Sequence, residues 1–255
     1  MKTAIIIPAR FGSTRLPGKP LLRETGKYLI QHVYERACSA RRAGTVLIAT
    51  DDPRIEAAVR SFGGRVVMTR ADHPSGTDRV AEAAAYVDAD VIVNLQGDEP
   101  QIEPDALDFV VDLLARQPAA VMSTLATPLC SLEQYRNPNC VKVVIGEAGQ
   151  ALYFSRSPIP HVRDGEPDWT HLPCQFFQHL GLYAYRRGFL EQLTRLPPTT
   201  LEQIEKLEQL RVLSHGHRIQ VGIVPTAHAG IDTPEDYRRF VAAERARNDG
   251  QRRAA

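Results

Sequence analysis

An α/β fold with a mixed, largely parallel sheet flanked by helices is predicted for this chain by three observations. Short apolar runs alternate with longer amphipathic stretches through the first 95 residues, which is the pattern of strands alternating with helices. Runs such as Ile5-Ile6-Ile7 and Val91-Ile92-Val93 are apolar at successive positions, as in strands covered on both faces. The intervals between runs leave room for a crossover helix each time, as parallel pairing demands.

The elements follow in order. Residues 3–8 form the first strand, closed by Pro8 after a four-residue apolar run; that run is too short for a signal-peptide core or a bilayer span, so no membrane insertion is expected. Helices are predicted over 28–41, 53–62 and 76–87, with strands over 46–50, 66–68 and 91–95. Sheets of this kind bind ligands beyond the carboxyl ends of their strands, which places the residues after Ile7, Ile48 and Val93 at the site. In the second half, 141–145 and 151–155 flank the turn-prone 146–149 as a hairpin. The Pro-, His- and Arg-rich stretch 158–175 reads as a long loop, and the region near 140–185 as a lid or dimerisation region. A strand over 181–185, a helix over 201–214 and a strand over 219–224 come next. Thr233-Pro234-Glu235 then opens a final helix with a cap candidate before proline.

Composition bounds the rest. The 255 residues are 43% hydrophobic and 24% charged, with a formal net charge of +1. One domain over 1–244 can bury a substantial core, with 245–255 as a frayed tail. The charge balance argues against nucleic-acid binding as the main task. Cys38, Cys130, Cys140 and Cys174 are scattered without metal-ligand spacing, as free thiols of a reducing, cytoplasmic compartment would be.

Two segments carry chemistry. Directly after the first strand, residues 8–20 hold Arg10, Arg15 and Lys19 together with Gly12, Gly18, Ser13 and Thr14. Cations and backbone N–H groups are thus gathered where phosphates bind. The spacing is not that of a P-loop: five residues separate Gly12 from Gly18, and Pro20 stands where a Ser or Thr would hold magnesium. From the residues alone, a solvated surface loop stays an equal alternative. The second segment is Asn94-Leu95-Gln96-Gly97-Asp98-Glu99-Pro100, which puts Asp98 in a turn after a strand, while Asp232 precedes the last helix. Two carboxylates from distant segments suffice for a nucleotide-borne Mg2+; a turn residue and a helix-start residue are the bland alternative.

Taken together, IIIPARFGSTRLPGKPL, VLIATDD, MTRADHPSGTDRVAE, VIVNLQGDEP, NPNCVKVV, ALYFSRSPIP, HLGLYAYR, EKLEQLRVL and GIDTPEDY resemble one family closely over about the first 240 residues. It is the 3-deoxy-manno-octulosonate (Kdo) cytidylyltransferase, or CMP-Kdo synthetase, family. The resemblance implies a nucleotide-diphosphosugar-transferase-like fold, a homodimer, CTP and Kdo as substrates, and CMP-Kdo for lipopolysaccharide and pyrophosphate as products. It implies that Arg10, Ser13, Arg15 and Lys19 hold the CTP phosphates, and that Arg70, Ser75 and Gly76 surround the cytosine. Asp98 and Asp232 match its magnesium ligands, and with Lys19 they form the expected catalytic set.

On the sugar side, Gln96, Arg156, Arg163, His179, Tyr183, Glu208 and Gln209 match positions lining the Kdo pocket. Guanidinium groups suit a carboxylate, and the remaining side chains can hydrogen-bond a polyol. Read without the family, His179 is better explained as a satisfied strand residue and Glu208 as a solvated helix charge; the resemblance favours the pocket. His161 departs from the family, which often carries Trp there. An 8-amino analogue of Kdo, another 2-keto sugar acid, or a regulator without turnover are the alternatives the residues leave open. No general base is apparent.

Overall fold

The computed structural model describes residues 1–12, 15–169, 176–226 and 230–254. In chain order its elements are β1 (Thr3–Ala9), α1 (Leu29–Cys38), β2 (Thr45–Thr50), α2 (Pro53–Ser61), β3 (Val66–Met68), α3 (Gly76–Ala84), β4 (Val91–Asn94), α4 (Pro104–Arg116), β5 (Met122–Pro128), α5 (Leu132–Arg136), β6 (Lys142–Ile145), β7 (Ala151–Ser155), β8 (Phe177–Arg186), α6 (Arg187–Leu193), α7 (Thr200–Glu205), α8 (Gln209–Ser214), β9 (Ile219–Ile223) and α9 (Pro234–Ala254). The fold is mixed α/β with a mostly parallel central sheet flanked by helices, as the apolar runs predict.

The chain divides into two compact units, an amino-terminal one (4–88, 94–105 and 228–255) and a central one (1–3, 89–93 and 106–227). In the amino-terminal unit β1 pairs in parallel with β2, and β2 with β3. Ile5, Ile6, Ile7, Leu47 and Ile48 are buried almost completely, so both faces of these strands are covered and continuous hydrophobicity is what they require. α2 starts at Asp52, whose side chain accepts from the Arg54 amide, and α3 at Ser75, which accepts from the Asp78 amide. α9 packs Tyr237, Phe240 and Val241 against Leu16, Leu29 and Ile231, and its helical backbone continues to Ala254.

In the central unit β5 lies between β8, antiparallel, and β9, parallel. β6 and β7 form the antiparallel hairpin expected from sequence. The single helix predicted over 201–214 is two helices. Lys206 takes a left-handed conformation, φ 54°, and its amide closes α7 on the Glu202 carbonyl. The strand predicted over 181–185 begins four residues earlier, at Phe177. Between β7 and β8 the described residues form neither helix nor strand. Val162 and Trp169 from this stretch pack on Leu129, Tyr135 and Phe176, and the Tyr135 hydroxyl donates to the Pro160 carbonyl at 2.6 Å.

Cys38, Cys130 and Cys140 are free; Cys174 lies outside the described residues. Among the described residues no helix is long and apolar enough to cross a membrane.

Candidate active site

A meeting of opposite charges in the amino-terminal unit joins three loops. After β4 the chain turns through Gln96-Gly97-Asp98 so close to β1 that a Cβ on Gly97 would lie 3.0 Å from the Pro8 carbonyl oxygen; a side chain there would push the two backbones apart by a few tenths of an ångström. The Asp98 carbonyl accepts from the Ile231 amide at 2.8 Å, which brings the strand to Asp232 alongside. Asp232 is held in turn by the start of α9. The Thr233 hydroxyl accepts from the Asp236 amide, and the Asp236 carboxylate accepts from the Thr233 amide, the Thr233 hydroxyl and the Asp232 amide. This is a capping box built with Asp. The Thr233 hydroxyl, these amides and Arg239 push the Asp236 carboxyl down to about 2.

Lys19 enters from the first loop. Gly18 precedes it at φ +65°, a left-handed conformation in which a Cβ would also press on the Phe11 ring at 3.3 Å. The Lys19 ammonium donates to Asp98 at 2.7 Å, to Asp232 at 3.2 Å and to the Ile231 carbonyl at 2.8 Å. Arg15 pairs with the second oxygen of Asp232 at 3.0 Å. Lys19, Arg15, Asp98 and Asp232, singled out from sequence, therefore converge. Two carboxylates that share one cationic neighbour are a donor set suited to a divalent cation completed by water and phosphate oxygens. Among the described residues no group of three or more His, Cys, Asp or Glu could hold a metal ion by itself.

A cleft of about 240 Å³ lies in the same unit, lined by Pro8, Ala9, Arg10, His73, Pro74, Ser75, Gly76, Arg79 and Gln96. It gathers Arg10, Ser75, Gly76 and Gln96 from the predicted set. Arg70 is exposed and lies 3.6 Å from Glu82 and 4.0 Å from Asp72. Ser13 lies outside the described residues.

The remaining predicted residues belong to the central unit and are engaged differently. Arg156 donates to the carbonyls of Glu205 (2.8 Å), Pro138 (3.1 Å) and Lys206 (3.4 Å). Its guanidinium thus knits β7 to the α7–α8 junction. Arg163 is 93% exposed, with neighbouring Asp164 at 4.0 Å. His179 is buried in β8, its ring edge-on to Phe154 with centroids 4.9 Å apart and 5.4 Å from the Tyr183 ring. The Thr124 hydroxyl lies 2.8 Å from the Leu182 carbonyl, 3.1 Å from that of Leu180 and 3.0 Å from His179 Nε2. The hydroxyl's single hydrogen goes to a carbonyl, so Nε2 must donate and Nδ1 is the bare nitrogen. Burial holds His179 neutral, with its pKa pushed down to about 3. The Tyr183 hydroxyl donates to Gln209 Oε1 at 3.4 Å. Gln209 is buried, and its Nε2 has no partner among the described residues, an unsatisfied donor of the kind a ligand completes. Glu208 sits half-buried at the start of α8.

Three features were not anticipated. Glu99 is half-buried beside Asp98, and burial together with that neighbour pushes its carboxyl up to about 8. Arg79 is buried under the cleft, bonded to Thr69 at 2.6 Å and paired with Asp51 at 3.2 Å. Its sequence signal is an arginine beside Val80 and Ala83 on the apolar stripe of α3. Phe11 lies beneath Arg54, whose guanidinium carbon is 3.4 Å from the ring centroid, while Asp52 grips the same guanidinium at 2.9 and 2.6 Å.

Residues 4–219 match the cytidylyltransferase family model. The chain is 51% identical over 244 residues to a 3-deoxy-manno-octulosonate cytidylyltransferase of Syntrophobacter fumaroxidans, covering 94% of this chain and 96% of that one. To its counterpart from Geobacter sulfurreducens it is 51% identical over 251 residues, covering 94% and 98%. Among solved structures, a CMP:2-keto-3-deoxy-manno-octonic acid synthetase complexed with CTP superimposes with a TM-score of 0.91 at 44% identity, over 97% of this chain and 100% of that one. A 4-diphosphocytidyl-2C-methyl-D-erythritol synthase from Anaerococcus prevotii, 11% identical with a TM-score of 0.61 over 94% of each chain, shares the fold.

Proposed function

Because the chain belongs to the 3-deoxy-manno-octulosonate cytidylyltransferase family of nucleotidyltransferases, we propose that it transfers CMP from CTP to Kdo, releasing pyrophosphate and supplying CMP-Kdo for lipopolysaccharide. The observation that carries this reading is the convergence of Lys19 and Arg15 on Asp98 and Asp232 beyond the strand ends.

The anomeric 2-hydroxyl oxygen of Kdo attacks the α-phosphorus of CTP. The new O–P bond forms as the bond to the bridging oxygen of the β-phosphoryl group breaks, and the hydroxyl proton passes to water. Arg10, Arg15 and Lys19 neutralise the triphosphate and the charge that accumulates on the departing pyrophosphate. Ser13 joins that loop by the family resemblance. Arg70, Ser75 and Gly76 border the base. Asp98 and Asp232 hold Mg2+, which when bound shields the triphosphate charge and makes the α-phosphorus more electrophilic. Lys19 holds the two carboxylates together before the nucleotide complex arrives, which reduces the reorganisation needed at binding. Gln96, Arg156, Arg163, His179, Tyr183, Glu208 and Gln209 serve Kdo, with the Gln209 amide as a donor and His179 Nδ1 as an acceptor for its hydroxyls.

The reading extends to a cytoplasmic homodimer whose region near 140–185 serves as lid and interface within a single 1–244 domain. Leu152, Leu201 and Ile204 are exposed on β7 and α7. These two elements are joined where the Ser155 hydroxyl donates to Glu205, and an apolar surface of this kind suits a second copy.

Pyrophosphate release from CTP and magnesium, compared across Kdo, its 8-amino analogue and sialic acid, tests the reaction. Release is expected with Kdo, and Asp98→Asn and Asp232→Asn are expected to lower it about 10³-fold or more. Silence with every sugar acid would remove the reading; full activity in either variant would remove the metal site.

A further inference from the structure

Arg79 is one of the most deeply buried cations in the amino-terminal unit, 6% exposed, yet it lines the cleft with Ser75, Gly76 and Arg10. Its burial is supported. Nη1 donates to Thr69 Oγ1 at 2.6 Å and sits 3.2 Å from Asp51 Oδ1, and the Thr69 amide is fixed on the Thr50 carbonyl at the end of β2. Asp51 therefore supplies the countercharge and Thr69 the orientation. Nε and Nη2 hydrogen-bond no described residue, so the fork keeps donors on one edge while its other edge is anchored.

These donors are not sealed in the interior, so a ligand in the cleft that Arg79 lines can take them while the anchored edge stays in place. Resting on the proposed reading that this cleft takes the nucleotide, we infer that Arg79 is the residue that reads the base edge and selects cytosine over uracil. Cytosine presents adjacent acceptors, O2 and an unprotonated N3, to such a fork. Uracil presents O2 beside an N3 that carries a hydrogen. A rigid donor pair satisfies the first edge and meets the second donor to donor, and a site built for one hydrogen-bonding pattern rejects the other strongly because its buried groups are left unpaired. The Thr69 and Asp51 anchors matter because they prevent the guanidinium from turning aside to accommodate uracil.

The test uses the full chain with magnesium, measuring the dissociation constants of CTP and UTP by titration calorimetry, with pyrophosphate release from CTP and Kdo as a parallel assay. Arg79→Gln is the chosen variant because a glutamine amide can both donate to O2 and accept from uracil N3–H. It is expected to weaken CTP by about tenfold or more while moving UTP by less than about twofold, so that discrimination narrows. Thr69→Val leaves the guanidinium in place without its 2.6 Å anchor, and is expected to narrow the same ratio by about threefold. It decides the matter if Arg79→Gln does not fold. Equal weakening of CTP and UTP, in Arg79→Gln or in Thr69→Val when that variant stands in, makes Arg79 a structural residue and overturns the inference. Absence of pyrophosphate release by the wild-type protein, with CTP still bound more tightly than UTP, would instead strike the proposed reaction and leave the base reader standing.

Discussion

The two units hold their functional candidates in opposite ways. In the amino-terminal unit Lys19, Arg15, Asp98 and Asp232 face one another, and each satisfies its charge on a group that a nucleotide complex can replace. In the central unit Arg156 and His179 are committed to the protein itself, to backbone carbonyls and to Thr124, while Arg163 stands exposed. Charges that meet across loops at strand ends are stored for a ligand. Charges bonded to carbonyls within the fold hold the fold first, and their part in recognition is shared with that task.

Lys19→Met separates these situations with the largest expected effect. The variant leaves two carboxylates side by side without their 2.7 and 3.2 Å partner, so the metal-free protein should lose thermal stability and regain part of it when magnesium is added. The rate of pyrophosphate release should fall by about 10² to 10³. An unchanged rate would mean that Lys19 only props up the carboxylates, and the contrast between the units would weaken.

His179 tests the other side. Its folded pKa of about 3 lies below the ordinary 6.5, so the native state keeps the ring neutral while the unfolded chain takes up a proton. The stability from this residue is fully present above pH 6.5, declines as pH falls below that value, and is exhausted near pH 3. The cost at the acid end is on the order of a few kcal/mol. Unfolding midpoints measured from pH 7 to pH 4 should fall less steeply in His179→Asn than in the wild type. Parallel slopes would show that the ring is solvated.

How much of this was legible in sequence follows from where each interaction is encoded. β1 to β4 and the helices between them are written as apolar runs and caps within short stretches, and Asp52, Ser75 and Thr233 announce their helices locally. α4, β5, α5 and α6 escaped the reading. β5 carries Ser123 and Thr124, which resemble turn residues until their hydroxyls are seen bonded to the Val110 and Leu182 carbonyls. The break between α7 and α8 falls on Lys206, a residue with no preference for the left-handed region, and nothing nearby signals it. Lys19, Asp98 and Asp232 were recognisable because each lies within a motif. Arg79 was not, because its anchors are Thr69, at the far end of the same motif, and Asp51, in another, and only tertiary structure joins them.

Arg156 and Arg163 divide the sugar-side expectation in two. Arg156→Ala removes donors from the carbonyls of Glu205, Pro138 and Lys206 and should destabilise the protein by about 1–3 kcal/mol in a denaturant titration. Arg163→Ala should stay within about 0.5 kcal/mol of the wild type, so that any loss appears in the KM for Kdo alone. If Arg163→Ala destabilised as much as Arg156→Ala, the distinction between committed and free guanidinium groups in the central unit would fail.

The smallest effect concerns how the first loop keeps its shape. Phe11 lies against both the Arg54 guanidinium and Gly18, and the Gly18 amide donates to the Phe11 carbonyl at 3.4 Å, so the aromatic ring links α2 to the turn that delivers Lys19. An exposed cation over a ring contributes modestly, and Asp52 orients this one by gripping it from the side. Arg54→Ala should therefore raise the KM for CTP a few-fold and leave kcat nearly unchanged, because the loop still reaches its bound form but from a broader set of starting shapes. Arg54→Lys keeps the charge and loses the flat stacking surface, so it should recover only part of the affinity. Phe11→Leu should match Arg54→Ala, and the double variant should be no worse than either single one, since both break the same contact. Additive losses in that cycle would separate Arg54 from Phe11 and leave the loop to be shaped by Gly18 alone.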